Sequence, residues 1–186
     1  MSTPTLQVIV ASTRPRRVGR LVADYIVERL TAQGGFEIEV VDLAEVNLPL
    51  LDEPHHPRLG RYEHEHTKAW SATISRGDAY LLVTPEYNHS FSAPLKNALD
   101  YLNAEWRGKP VAVASYGGVS GGTRAAAAIT EVLVTLGMTV SNVAVAIPTV
   151  QSHISEGHFV GYPQVDHAVE AVHGALLGLT RGQTRS

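Results

Sequence analysis

Residue types that can do chemistry fall into three short stretches of this 186-residue chain. The first is Ser12, Thr13, Arg14, Arg16 and Arg17, followed by Val18, Gly19 and an apolar-periodic run. Hydroxyls and guanidinium forks suit the oxygens of an anion such as phosphate. A helix starting there adds free N–H groups and the positive end of its dipole. The stretch has neither G-x-G-x-x-G nor G-x-x-x-x-G-K-[ST], so it is neither a dinucleotide fingerprint nor a Walker loop. A solvated basic turn is the competing reading. The second stretch is Pro85-Glu86-Tyr87-Asn88, whose ring and amide could hold a flat heterocycle. Its alternative is a turn in which Asn88 satisfies its own backbone and Tyr87 covers the end of a sheet. The third runs from Ser115 and Tyr116 through Gly117 and Gly118 to Gly122. Glycines there let backbone approach a ligand, and Tyr116 could cover an aromatic face. A flexible strand-to-helix connection is the alternative.

The elements that must position these stretches can be read from periodicity. Strands are expected at Thr5–Ala11, Phe36–Leu43, Asp78–Thr84, Lys109–Ser115 and Thr139–Ile147. The spacing of Leu21, Val22, Tyr25, Ile26 and Leu30 predicts a helix from Arg20 that Gly34 and Gly35 stop. Further helices are expected from about Arg61 to Arg76, from Ser92, from Thr123 to Gly137, and over Val165 to Leu179. Ser92 and Thr123 are the expected caps, and Leu95, Leu99 and Leu102 share one apolar face. The alternation of Glu37 and Glu39 with Ile38 and Val40 marks the second strand as an edge. Near-continuous apolar runs in strands one, three and four mark burial on both faces, as in a parallel sheet. The fold class is α/β: a three-layer, doubly wound, five-stranded parallel sheet, with strand order 2-1-3-4-5 expected. Residues 1–180 read as a single domain and 181–186 as a polar tail. In that order the three stretches share one rim beyond the strand ends, where such sheets bind ligands.

Composition narrows the function. A net charge of −3 gives no bulk reason to expect nucleic acid or a membrane surface. The absence of cysteine removes disulfides, thiolate nucleophiles and cysteine metal sites. No run approaches the roughly 20 apolar residues of a span, and no basic region precedes the first apolar run, so a cytoplasmic protein is expected. Of the histidines only His55-His56 and His64-x-His66 cluster. On a helix His64 and His66 would point apart, so no metal site is expected.

The three stretches together carry a resemblance. Ser12-Thr13-Arg14 with Arg17-Val18-Gly19, Pro85 to Ser90 running into Leu95-Lys96-Asn97-Ala98, and Ser115 to Gly118 with Gly121 to Ala125 resemble the NADPH-dependent FMN reductase family. The likeness spans roughly residues 5–145, and Asn47–Glu65 and Gln151–Gln164 carry no motif of it. It implies a flavodoxin-like fold and an FMN-dependent NAD(P)H oxidoreductase that reduces quinones, similar acceptors or free flavin by a ping-pong cycle. NADPH or NADH would be co-substrate, the acceptor a small molecule, and the assembly a homodimer or homotetramer. Ser12, Arg14 and Arg17, with backbone of Val18 and Gly19, would hold the FMN phosphate. Pro85, Glu86, Tyr87 and Asn88 would line the isoalloxazine, and Ser115, Tyr116, Gly117 and Gly118 would cover its pyrimidine end. Since hydride chemistry belongs to the flavin, no catalytic side chain is implied. Many members carry serine where Arg17 stands, and an arginine can replace that phosphate contact. Two other readings compete with it: a flavodoxin-type electron carrier, and a serine hydrolase using the G-x-S-x-G around Ser120. Against the carrier stand the arginine-rich first loop and the nearly neutral chain. Against the hydrolase, Ser120 lies well beyond the strand end.

Overall fold

Val10 has Asp42 as its register partner on one side and Val83 on the other, so three strands end side by side. The computed structural model in which this is seen describes residues 2–183. In chain order the elements are β1 (Thr5–Val10), α1 (Gly19–Gln33), β2 (Glu37–Asp42), the short α2 (Leu43–Val46) and α3 (Glu65–Ser75). Then come β3 (Ala79–Pro85), α4 (Ala93–Asp100), β4 (Pro110–Tyr116), α5 (Thr123–Thr135), β5 (Thr139–Val140) and β6 (Val145–Ile147). A small antiparallel hairpin of β7 (Ile154–Ser155) and β8 (His158–Phe159) precedes α6 (Pro163–Gln183). The main sheet is parallel in the order β2-β1-β3-β4-β5, with β6 also on β4. This is the flavodoxin-like winding expected from the sequence, with β2 at an edge. Its reversal point lies between β1 and β3.

The period-two rule of strands divides the core between two faces. Leu6, Val8, Val10, Leu81, Val83, Ala112 and Ala114 face one layer, packed with Val22, Ile26 and Leu30 of α1 and Val169, Val172 and Leu176 of α6. Ile9, Leu82 and Val113 face the other, packed with Trp70 and Ile74 of α3, Leu95 and Leu99 of α4, and Ile129 and Leu133 of α5. Two indoles fix α4 under the site: Trp70 Nε1 donates to the Ala98 carbonyl at 2.9 Å, and Trp106 Nε1 to that of Leu99 at 3.2 Å.

Several local expectations change. Ser92 stands at the N-cap of α4, but its hydroxyl donates to the Ala11 carbonyl at 3.0 Å instead of capping. Gly122, not Thr123, is the N-cap of α5. The fifth strand is broken in two, because Ser141 Oγ accepts from Val143 N at 3.2 Å and donates to its carbonyl at 3.0 Å, a local bend that competes with the ladder. Helix α6 runs past Thr180, which is buried, to Gln183, beyond the expected helix end near Leu179; residues 184–186 of the expected polar tail lie outside those described. His64 is the N-cap of α3 and not inside it; its ring stacks on His66 at 5.2 Å rather than pointing away, and His66 Nε2 lies 2.9 Å from Asp52 Oδ1. Among the described residues no helix is long and apolar enough to cross a membrane.

Candidate active site

Beyond the C-terminal ends of β1, β3 and β4 lies a cavity of about 490 Å3. Its lining comes from four segments: Ser12 and 14–18, Pro85 to Tyr87, Tyr116 to Gly118, and Thr149 to Ser152. The register explains the convergence, since Pro85 pairs with Tyr116 and Thr84 with Ser115.

The first loop ends in a helix start with no side-chain cap at Val18 and no acidic residue in the first turn of α1. The first-turn N–H groups of a helix have no intrahelical acceptor, so their partial positive charge is unscreened. Buried Ser12 has its hydroxyl 3.0 Å from the Tyr87 phenol oxygen, and the Arg14 guanidinium lies 5.7 Å from the Tyr87 ring centre. Arg17 borders the cavity, but its Nη1 donates to the Ser12 carbonyl at 2.7 Å and its Nη2 to Asp42 Oδ2 at 2.6 Å.

Tyr116 joins the first loop to the third. Its ring is buried, and its phenol oxygen is buried without a hydrogen-bond partner. A Cβ on Gly19 would stand 2.3 Å from that oxygen, so only glycine lets α1 start this close. Burial pushes the Tyr116 phenol well above its ordinary value of 10.0, so it is a neutral donor at physiological pH.

The second loop is a two-residue reversal. Tyr87 and Ser90 exchange backbone bonds of 2.8 and 3.0 Å, and Asn88 and His89 between them have φ of 49° and 66°. Positive φ at both central positions is the signature of a type I′ turn, which asparagine tolerates. Asn88 is exposed at the tip, away from the cavity lining. Glu86 also has a structural task. Its N–H donates to the Tyr116 carbonyl at 3.0 Å, while its carboxylate accepts from Ser120 Oγ and Arg124 N, both at 3.1 Å. Partial desolvation raises the Glu86 pKa, but the bonds from Ser120 and Arg124 outweigh it and hold the group below its usual range. Ser120 therefore donates to an ionised carboxylate shared with an arginine, which is not the histidine partner a serine nucleophile requires.

The glycine loop is ordered from within. Ser115 Oγ, behind the cavity wall, donates to the Gly121 carbonyl at 2.9 Å. Gly122 has φ of 80°, and a Cβ there would meet Tyr116 N at 2.7 Å. The fourth segment was missed by sequence reasoning. Thr149 N donates to the Gly118 carbonyl at 2.8 Å and Val150 N to that of Gly117 at 3.0 Å. Thr149 takes this position with φ of 46°, unusual for a β-branched residue. Its only sequence signal is its place just after Pro148 at the end of a strand. Of the expected site residues, Gly19, Asn88 and Ser115 do not line the cavity, and the others do. Among the described residues no group of three or more metal-ligating side chains could hold an ion.

Residues 4–152 match the family model of the NADPH-dependent FMN reductases. The chain belongs to this family. All four cavity segments lie within the matched stretch. An NAD(P)H-dependent FMN reductase of Schizosaccharomyces pombe is 43% identical over 122 residues, covering 64% of this chain and 61% of that protein. The match thus spans less than two thirds of that FMN reductase's length. A quinone reductase of Pseudomonas putida is 36% identical over 140 residues, 72% of each chain. The solved structure of FerB, a flavoenzyme NAD(P)H:(acceptor) oxidoreductase from Paracoccus denitrificans, has a TM-score of 0.75 at 22% identity, covering 96% of this chain and 98% of that one. That structural likeness concerns the fold.

Proposed function

We propose that this member of the FMN reductase family is an FMN-dependent NAD(P)H oxidoreductase that reduces quinones or similar small acceptors. The observation that carries the reading is one cavity joining an unscreened helix N-terminus to tyrosine and glycine walls. The residues fit the cofactor. Ser12, Arg14 and the N–H groups at the start of α1 suit a phosphate, and the buried, unpartnered Tyr116 hydroxyl supplies one more donor beside them. Tyr87, Pro85 and the backbone of Gly117 and Gly118 suit the flat edge and face of a heterocycle.

Bound FMN supplies two-electron transfer between nicotinamide and acceptor. The chain's own residues bind, orient and enclose. Thr149 and Val150 hold Gly117 and Gly118 in place through backbone bonds, and Glu86 holds the far end of the same loop. No side chain is asked to carry a proton. A ping-pong order and a homodimer or homotetramer belong to the same proposal; parallel double-reciprocal plots and a sedimentation mass test them.

The test begins with the spectrum of the purified protein, where flavin bands near about 375 and 450 nm are expected. Protein in which FMN neither co-purifies nor binds when added sinks the reading. Steady-state NAD(P)H oxidation with a quinone and no other protein then separates enzyme from electron carrier. No turnover with any acceptor would favour the carrier.

A further inference from the structure

Asp42 ends β2 and is not part of the cavity lining, yet its carboxylate is bonded to a residue that is. Its side chain is 1% exposed. A buried carboxylate needs compensating charge and hydrogen bonds. Asp42 Oδ2 receives Arg17 Nη2 at 2.6 Å and Arg20 Nη1 at 3.4 Å, and Oδ1 accepts the Ala44 N–H at 3.0 Å. Arg17 turns its other terminal nitrogen onto the Ser12 carbonyl at 2.7 Å, and its backbone N–H donates to the Arg14 carbonyl at 3.2 Å. One guanidinium thus closes the loop from Ser12 to Arg17 on itself and ties it to the neighbouring strand.

Two roles for Arg17 make opposite predictions about Asp42. If the guanidinium met the phosphate directly, Asp42 would compete for it, and neutralising Asp42 would tighten FMN binding. If Asp42 holds the guanidinium to the loop, neutralising it would loosen the loop and weaken binding. Each terminal nitrogen already gives one N–H to the protein, and the Arg17 side chain is only 16% exposed. We propose that Asp42 is a positioning residue: through Arg17 it fixes the first loop, and it leaves the FMN phosphate to Arg14, the Ser12 hydroxyl and the first-turn amides of α1. This inference rests on the FMN reading above.

Asp42→Asn keeps the shape and removes the charge. Its affinity is measured for FMN and for riboflavin, which shares the ring and ribityl chain but lacks the phosphate. The Kd for FMN should rise roughly tenfold, the scale of one lost charge-assisted hydrogen bond, while that for riboflavin stays within about twofold. Adding Arg17→Gln should cost nothing further, because the two residues act as one unit. An unchanged or tighter FMN complex, or equal losses for both flavins, overturns the inference alone. If Asp42→Asn does not fold, Arg17→Lys decides. Lysine keeps a cation at the border of the cavity but cannot fork between Asp42 and the Ser12 carbonyl. Phosphate-specific weakening with lysine, accompanied by faster proteolysis between Ser12 and Arg17 in the ligand-free protein, supports the positioning role, because a direct phosphate contact would not order the loop before FMN binds. Wild-type FMN affinity or an unchanged cleavage rate overturns it. Wild-type protein that binds neither flavin overturns the FMN reading itself, and this inference with it.

Discussion

The Glu86 carboxylate ties the loop after β3 to the first turn of α5: Oε2 accepts the Arg124 N–H at 3.1 Å, and Oε1 pairs with the Arg124 guanidinium at 3.2 Å. An anion at a helix N-terminus meets unsatisfied N–H groups and the positive dipole end together. Ser120 Oγ, donating to the same carboxylate at 3.1 Å, brings the glycine loop into the contact. Glu86 therefore links two walls of the cavity through groups outside it.

Glu86→Gln should loosen the glycine loop and weaken FMN several-fold, with a pH signature. The Glu86 pKa is lowered in the folded protein, so the clamp is complete above the ordinary glutamate value of 4.5 and is lost as pH falls through the depressed value. FMN fluorescence titrations in the acid range should show wild-type affinity falling with pH and a flatter curve for the variant. Identical curves would remove Glu86 from the binding machinery.

Two glycines in one loop should respond differently to alanine. Gly122→Ala places a Cβ 2.7 Å from Tyr116 N at a φ of 80°. It should cost roughly 1–3 kcal/mol in thermal or denaturant unfolding. Gly118→Ala meets no atom within 4 Å, so stability should be unchanged. Its effect should be confined to FMN affinity, because the new methyl adjoins the cavity. A stable Gly122→Ala protein would show that the loop adopts another backbone.

How far the sequence could be read depends on how local each determinant is. Runs such as Leu81-Leu82-Val83 and Val111-Ala112-Val113 place a strand and its two buried faces by themselves, and the order of windings follows. The placement of the first and third loops at the strand ends could be read for the same reason, since a helix start and a close backbone approach are properties of a few consecutive residues. The tie between Arg17 and Asp42 could not be read, because Asp42 lies 25 positions away and meets it only through strand pairing. Nor could the wall at Thr149, where backbone N–H groups make the contacts and side-chain type carries no signal. Asn88 could be read two ways because an amide in a glycine-free turn suits a ligand and a left-handed φ equally well.

That ambiguity can be tested directly. If Asn88 serves the I′ turn, Asn88→Gly should fold and bind FMN as wild type does, since glycine adopts positive φ freely. Asn88→Val should lose about 1–2 kcal/mol of stability in chemical unfolding, the scale of a β-branched residue forced left-handed. FMN affinity lost in the glycine variant, with unchanged stability, would restore the amide as a ligand.

Tyr116 offers the sharpest contrast between free and loaded protein. Its hydroxyl is buried without a partner, a desolvated donor that folding leaves unsatisfied. Tyr116→Phe removes that cost, so the ligand-free protein should be unchanged or more stable by up to about 1–3 kcal/mol. The hydroxyl also stands against the first turn of α1, as close as the missing Cβ of Gly19 allows. Where it donates to bound FMN, the variant should gain less from the cofactor, and the rise in melting temperature on saturation with FMN should shrink. Melting curves with and without FMN read both effects. A less stable free variant would mean that the hydroxyl already has a partner, and an undiminished FMN shift would place it outside the binding set.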